Sequence, residues 1–235
     1  MNRIITVLIS VFITISVSGQ SKTIKTDTSF VKPFKSRLIK NSLVVSTAAV
    51  LAFTLDKPMN NWMNDLSNST GGGVADVANA LGEKTIIIPA LGATWGLSYL
   101  IKDDKLKRTS WNAIKTVAVT AIVTEGLKIS AGRARPFTGE GPHSFHPFSN
   151  DDQYKSLPSG HTSVAFAVFT PFAETYSRWI YAAPASVALA RMYKNKHWFS
   201  DVVVGGGIGF ISGWIFTHYP QKNIQVTSNS VIVFF

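Results

Sequence analysis

Three short segments of this 235-residue chain set phosphate-binding and proton-moving side chains among apolar neighbours. The first is Lys128-Ile129-Ser130-Ala131-Gly132-Arg133-Ala134-Arg135-Pro136. Lys128 and Arg135 are seven residues apart, about two helical turns, so both cations can face one pocket at a helix end. Lysine supplies a compact charge and arginine a fork matched to phosphate oxygens. The competing reading is an ordinary basic helix terminus that offsets the macrodipole.

The second segment, Pro158-Ser159-Gly160-His161, directly precedes an apolar run from Thr162 to Phe172. Ser159 is a natural N-cap, and Gly160 lets the backbone approach a ligand. The free N–H groups of a helix start form an anion site, with His161 carrying an exchangeable proton beside it. A capped helix start with an incidental histidine would look the same.

The third segment runs from Arg191 through His197 to Asp201. Arg191 is another phosphate fork. His197 and Asp201 are four apart, which places them on one helical face within hydrogen-bonding reach. A carboxylate on one ring nitrogen fixes the tautomer and leaves the other nitrogen free to attack. A lone His–Asp pair is more often structural, so no segment decides the matter alone.

Taken in order, Lys-x6-Arg-Pro, Pro-Ser-Gly-His and Arg-x5-His-x3-Asp resemble the three-part signature of the type 2 phosphatidic acid phosphatase superfamily, which vanadium haloperoxidases also resemble. The resemblance covers roughly residues 41 to 219 and is strongest from Lys128 to Asp201. It implies that His197 attacks phosphorus, that Asp201 orients it, and that His161 protonates the leaving alkoxide and then activates water. It further implies that Lys128, Arg135 and Arg191, with Ser159 and the Gly160 backbone, hold the phosphoryl oxygens. No metal or other cofactor is implied, since three fixed cations can neutralise the charge of phosphoryl transfer. The serine usual before the third arginine is Ala190 here, which removes one possible hydrogen bond but no group the chemistry needs.

Other polar groups carry weaker expectations. Glu125, three residues before Lys128, is expected to orient Lys128 or Arg133. His143, His146, Asp151 and Asp152 could shape access to the site or bind a cation, against a default of a solvated loop. His218 carries no function on sequence grounds.

The elements that must position these groups read as helices. Apolar stretches at about 42–55, 86–101, 111–127, 162–176, 178–190 and 202–217 suit helices better than strands. Pro58 follows the first, Pro136 closes the third, and Pro158-Ser159 precedes the fourth. The expected fold is all-α, a six-helix bundle of the family's type, membrane-embedded, with a short β-prone C-terminal tail. The cluster Gly205 to Gly209 points to close helix packing rather than to a dinucleotide fingerprint.

Most of these stretches fall short of the roughly 20 apolar residues that cross a bilayer, so a buried helical core of a periplasmic protein also fits. The division expected is a signal peptide over 1–19, a basic linker over 20–40, the phosphatase domain over 41–219 and a tail over 220–235. Six spans would put the basic linker and the loop with Lys102, Lys105, Lys107 and Arg108 on one side, which positive-inside logic makes cytoplasmic. A cleaved signal peptide would put the linker outside, so the two expectations conflict unless some stretches do not span.

A net charge of +10 and a sequence pI near 9.8 fit a polyanionic partner. With no cysteine, thiolate chemistry, disulfides and a lipoprotein anchor are excluded. The function expected is hydrolysis of phosphate monoesters of lipids at the inner membrane, the site facing the periplasm, with a membrane as partner and no nucleic acid; the oligomeric state is not legible. The alternatives are a soluble periplasmic acid phosphatase, a vanadium-dependent haloperoxidase, for which the chain is short, and a basic scaffold that only binds anionic lipid.

Overall fold

The computed structural model describes residues 31–69, 72–219, 223–227 and 230–234, with the backbone alone for 31–32 and the last two ranges. The expected signal peptide and the linker up to residue 30 lie outside the described residues. Seven α-helices occur among the described residues: α1 (Val31–Ser69), α2 (Gly73–Ala80), α3 (Lys84–Leu100), α4 (Asp104–Ala131), α5 (Gly160–Thr175), α6 (Ala182–Tyr193) and α7 (Phe199–His218). Five of the six apolar stretches map onto one α-helix each, and the fifth, 178–190, begins as a 3-10 turn at Arg178–Tyr181 before continuing as α6. The additional helix, α2, has no buried residue, so it lacks the core-directed pattern that marks the others.

Helix ends follow local chemistry. Asp103 caps α4, accepting from the N–H groups of Lys105 and Leu106 at 2.9 Å each. The helix stops at Gly132, in the left-handed region at φ 60°, before Pro136 can act; Pro136 instead opens a 3-10 turn. A side chain at Gly132 would be strained and would collide with the His146 carbonyl. Pro58, expected to end the first helix, lies inside α1. It withdraws one N–H donor from a long helix whose other turns remain bonded.

The chain divides into two compact units, residues 1–46 with 218–235, and residues 47–217. In the smaller one, Phe34 packs edge-on against Tyr219 at 5.5 Å, and β1 (Asn223–Thr227) pairs antiparallel with β2 (Ser230–Phe234). The larger unit contains every candidate site residue. One core cluster joins Ile87 and Leu91 of α3, Ala113 of α4, and Val164 and Val168 of α5. Another joins Met63 of α1, Met192 of α6 and Val202 of α7. The glycines of α7 let it lie directly on α5: a Cβ at Gly205 or Gly209 would meet backbone atoms of Ser159 or Ser163.

The distribution of side chains on α4 is the reverse of a water-soluble helix. Thr109, Ser110, Ala113, Thr116, Thr120 and Thr124 are buried, whereas Trp111, Val119, Ile122 and Ile129 are exposed. The Thr109, Ser110 and Thr116 hydroxyls turn back on the helix, Thr116 Oγ1 donating to the Asn112 carbonyl at 2.8 Å, whereas Thr120 and Thr124 Oγ1 have no partner among the described residues. Leu43, Val44, Leu51, Ile86, Leu97 and Leu100 are likewise exposed. Among the described residues, two helices, Pro33–Ser69 and Phe199–His218, are long and apolar enough to cross a membrane.

Candidate active site

His197 lies in the turn before α7, almost fully buried. Its Nδ1 stands 2.8 Å from the Ser156 carbonyl. A carbonyl only accepts, so Nδ1 carries the proton and the lone pair is on Nε2. Nε2 faces Arg135, whose Nη1 is 3.5 Å away. Burial foremost holds the imidazole well below its ordinary range, with the Lys128 and Arg135 charges adding to it against the pull of Asp201. The ring is therefore neutral at neutral pH.

Asp201 does not hold the ring in the way its spacing suggests. Because α7 begins at Phe199, His197 precedes the helix, and Asp201 Oδ2 is 3.6 Å from Nδ1, beyond a hydrogen bond. Oδ2 instead accepts from Ser156 Oγ at 2.5 Å and from the Trp198 N–H at 2.8 Å, the latter a reach back typical of a helix start. Ser156 thus mediates: its carbonyl fixes the ring and its hydroxyl ties to the carboxylate.

Behind Asp201 lies a fully buried ionic network. Arg133 Nη1 donates to Asp201 Oδ1 and to Ser200 Oγ at 2.6 and 2.7 Å, and Nη2 donates to Asp56 Oδ2 at 2.6 Å. Nε and Nη2 also reach the Pro142 carbonyl at 2.9 and 2.6 Å. Asp56 in turn accepts from the Ser200 N–H and hydroxyl at 2.7 and 2.8 Å. The guanidinium lies among Phe53, Phe145 and Trp198, 5.0 to 5.8 Å from their ring centres.

The other candidate residues lie close to one another and to His197. Lys128, in the last turn of α4, donates to the Lys155 carbonyl at 2.6 Å. Its Cε is 3.5 Å from where a Cβ on Gly160 would lie, so the lysine meets the start of α5. Arg135 is not on the helix with Lys128: Gly132 turns the chain, and Arg135 is extended. The two cations are nonetheless within electrostatic reach, as are Arg135 with Arg191, and Arg191 with His161. Arg191 donates to Asn79 Oδ1 at 2.8 Å, while its buried Nε has no partner among the described residues. Arg135 holds the Asp152 carboxylate at 3.1 Å.

Ser159 occupies the N-cap position of α5, but its hydroxyl pairs with Thr162 Oγ1 at 3.0 Å rather than capping. The first helical bond of α5 is Ser163 N–H to the Ser159 carbonyl at 2.9 Å, so the N–H groups of Gly160, His161 and Thr162 precede the ladder. His161 Nε2 lies 3.1 Å from Glu83 Oε2. Ala190 is buried within α6. Glu125 serves neither Lys128 nor Arg133 as a hydrogen-bonding partner; it meets Lys84 at 3.5 Å on an exposed face. In the loop, His146 pairs with Glu140 at 2.8 Å and Asp151 accepts from the Gln153 N–H at 3.2 Å. Among the described residues no group of three His, Asp or Glu could hold a metal ion.

Asp56, Ser156, Asn79 and Glu83 were not legible as site residues. Asp56 did carry a signal, since a lone acid beside the apolar stretch 42–55 requires a buried partner.

The larger unit thus brings together two imidazoles, three cations and an unladdered helix start. Residues 109–225 match the family model of the PAP2 superfamily, and the chain belongs to that superfamily. It is 36% identical over 104 residues to a lipid A 1-phosphatase of Rhizobium etli, covering 42% of this chain and 44% of that one. It is 28% identical over 193 residues to a lipid A 1-phosphatase of Porphyromonas gingivalis, covering 78% of this chain and 38% of that one. The chain thus spans less than half the length of these relatives. Two solved structures share the fold. LpxE of Aquifex aeolicus has a TM-score of 0.55 at 20% identity, covering 70% of this chain and 96% of that one. A transmembrane PAP2 type phosphatidylglycerolphosphate phosphatase of Bacillus subtilis has a TM-score of 0.50 at 17% identity, covering 76% and 93%.

Proposed function

We propose that this protein is a membrane-bound phosphatase that hydrolyses phosphate monoesters of lipids through a phosphohistidine intermediate. The observation that carries this reading is the Nε2 lone pair of a neutral, buried His197 facing Arg135, with Lys128 and Arg191 within electrostatic reach of that guanidinium. In the first step His197 Nε2 forms the N–P bond as the P–O bond to the lipid breaks. The Nδ1 proton stays on the ring, hydrogen-bonded to the Ser156 carbonyl, and Asp201 offsets the cation that forms. His161 gives its proton to the leaving alkoxide. In the second step His161 takes a proton from water, whose oxygen bonds to phosphorus as the N–P bond breaks, releasing phosphate and restoring His197. The three cations and the α5 start neutralise charge on the phosphoryl oxygens throughout.

The lipid A 1-phosphatases among the relatives support a lipid phosphate, with a glycolipid 1-phosphate as the first substrate to try. The exposed apolar faces of α1, α3 and α4 support a bilayer around the unit. The catalytic end of α4 lies opposite its basic start at Lys105, Lys107 and Arg108, about 30 Å away along a helix of 28 residues. Positive-inside logic puts the basic end in the cytoplasm and the catalytic end outside it, consistent with a site facing the periplasm of an inner membrane.

The test is phosphate release from a panel of lipid and soluble phosphoesters by wild type, His197→Ala and His161→Ala. His197→Ala is expected to abolish turnover, and His161→Ala to cost least where the leaving group is good. Vanadate is expected to inhibit as a transition-state mimic. Equal turnover in all three proteins would refute the assignment.

A further inference from the structure

We propose that Glu83 is a positioning residue for proton transfer: its carboxylate holds Nε2–H of His161 so that Nδ1 is the nitrogen that exchanges protons with the substrate. This rests on the function proposed above and adds to it a residue outside all three motif segments.

Three observations carry the inference. Glu83 stands at the N-cap position of α3, where its side chain makes no cap hydrogen bond; Oε2 lies 3.1 Å from His161 Nε2 instead. The ring is also backed by the chain just before Glu83. A Cβ on Gly82 would come within 3.1 Å of His161 Cβ and 2.6 Å of Val187 Cγ1, so a larger residue there would push Glu83 and His161 apart. Third, the neighbouring charge on α3, Lys84, pairs with Glu125 at 3.5 Å on another face, leaving the Glu83 carboxylate directed at the histidine. The bond with His161 holds the Glu83 carboxyl below its ordinary range, so it is ionised at neutral pH.

An ionised carboxylate accepts and never donates, so Nε2 must carry its hydrogen in both steps. Nδ1 has no hydrogen-bond partner among the described residues. When the ring is protonated, Nδ1–H goes to the leaving alkoxide as the P–O bond breaks. The ring is then neutral with its lone pair on Nδ1, and the same nitrogen takes a proton from the attacking water. Glu83 gains and loses no proton. Arg191, within electrostatic reach of both groups, opposes the imidazolium that Glu83 favours, so the carboxylate also balances the charge of the phosphate-binding fork.

The experiment compares wild type, Glu83→Gln, Glu83→Asp, His161→Ala and the Glu83→Gln/His161→Ala double variant on 4-nitrophenyl phosphate and on a long-chain alkyl phosphate. The nitrophenolate leaves without help, whereas the alkoxide needs a proton. Glu83→Gln is expected to slow first-turnover release of the alcohol from the alkyl phosphate about tenfold or more and to leave first-turnover release of nitrophenolate within about twofold, general acid help being worth about 10² or more; the second step, common to both substrates, is slowed equally. Glu83→Asp is expected to recover part of the loss, and the double variant to be no slower than His161→Ala alone. Equal losses of first-turnover release on both substrates, or additive losses in the double variant, would overturn the inference. Glu83 is partly exposed, so the substitutions leave the fold intact, and a melting temperature checks this. A wild type with no phosphatase activity would fail the proposed function itself; an active wild type indifferent to Glu83→Gln would fail this inference alone.

Discussion

The two halves of the site are held in opposite ways. Around His197, Asp56, Arg133, Ser156, Ser200 and Asp201 are fully buried, and every donor of Arg133 goes to a partner at 2.6 to 2.9 Å. Around His161 and Arg135, the carboxylate partners are solvent-facing: Glu83 for His161 and Asp152 for Arg135. The contrast fits the phosphohistidine route proposed above. The ring that forms a covalent bond needs a fixed lone pair, whereas the groups that meet a variable substrate must exchange protein partners for phosphate oxygens.

The largest effect is expected where the burial is deepest. Arg133→Met would leave Asp56 and Asp201 as unpaired buried carboxylates, at a cost of about 3–5 kcal/mol, enough to lose the fold or much of it. Arg133→Lys would rescue little, because one ammonium cannot replace a planar fork with five donors. Thermal unfolding in detergent measures both, and a near-native melting temperature for Arg133→Met would mean that the network is incidental.

A smaller effect follows from His197. Its folded-state proton affinity is lowered from the ordinary value near 6.5. The unfolded chain therefore binds more protons below that pH, and stability contributed by the neutral ring is present above about pH 6.5 and lost as pH falls below it. The melting temperature should decline on acidification from pH 7 to pH 5, and decline less in His197→Gln. Parallel slopes for the two proteins would contradict a buried neutral imidazole.

The smallest effect belongs to the open side. Asp152 is 81% exposed and competes with phosphate for the Arg135 fork. An exposed pair is worth about 0–1 kcal/mol, so Asp152→Asn should lower KM by at most a few-fold and leave kcat unchanged. A large fall in kcat would move Asp152 from the rim into the chemistry.

The same contrast separates what was legible in the sequence. The phosphate-facing residues announced themselves, because Lys128, Arg135, His161, Arg191 and His197 are chemically conspicuous in apolar surroundings. Six long helices were legible for the same reason: their apolar runs are continuous enough to read without a partner. What could not be read depends on which distant segments meet. Spacing suggested a shared helix for Lys128 and Arg135, but Gly132 breaks it. It suggested that Asp201 bonds His197, but Ser156 stands between them. Glu125 looked like the partner of a buried cation because it is near in sequence; the partner of Arg133 is Asp56, 77 residues away. The helix α2 escaped because it buries nothing of its own. Its Asn79 and Asp76 matter through their bonds to Arg191 and Lys194, which no local pattern encodes.

Rapid quenching of the enzyme during turnover of a ³²P-labelled lipid phosphate tests the account most directly. The account predicts an acid-labile, base-stable label that maps to His197, builds up further in His161→Ala, and is absent from His197→Ala. Label on another residue, or full turnover by His197→Ala, would contradict it.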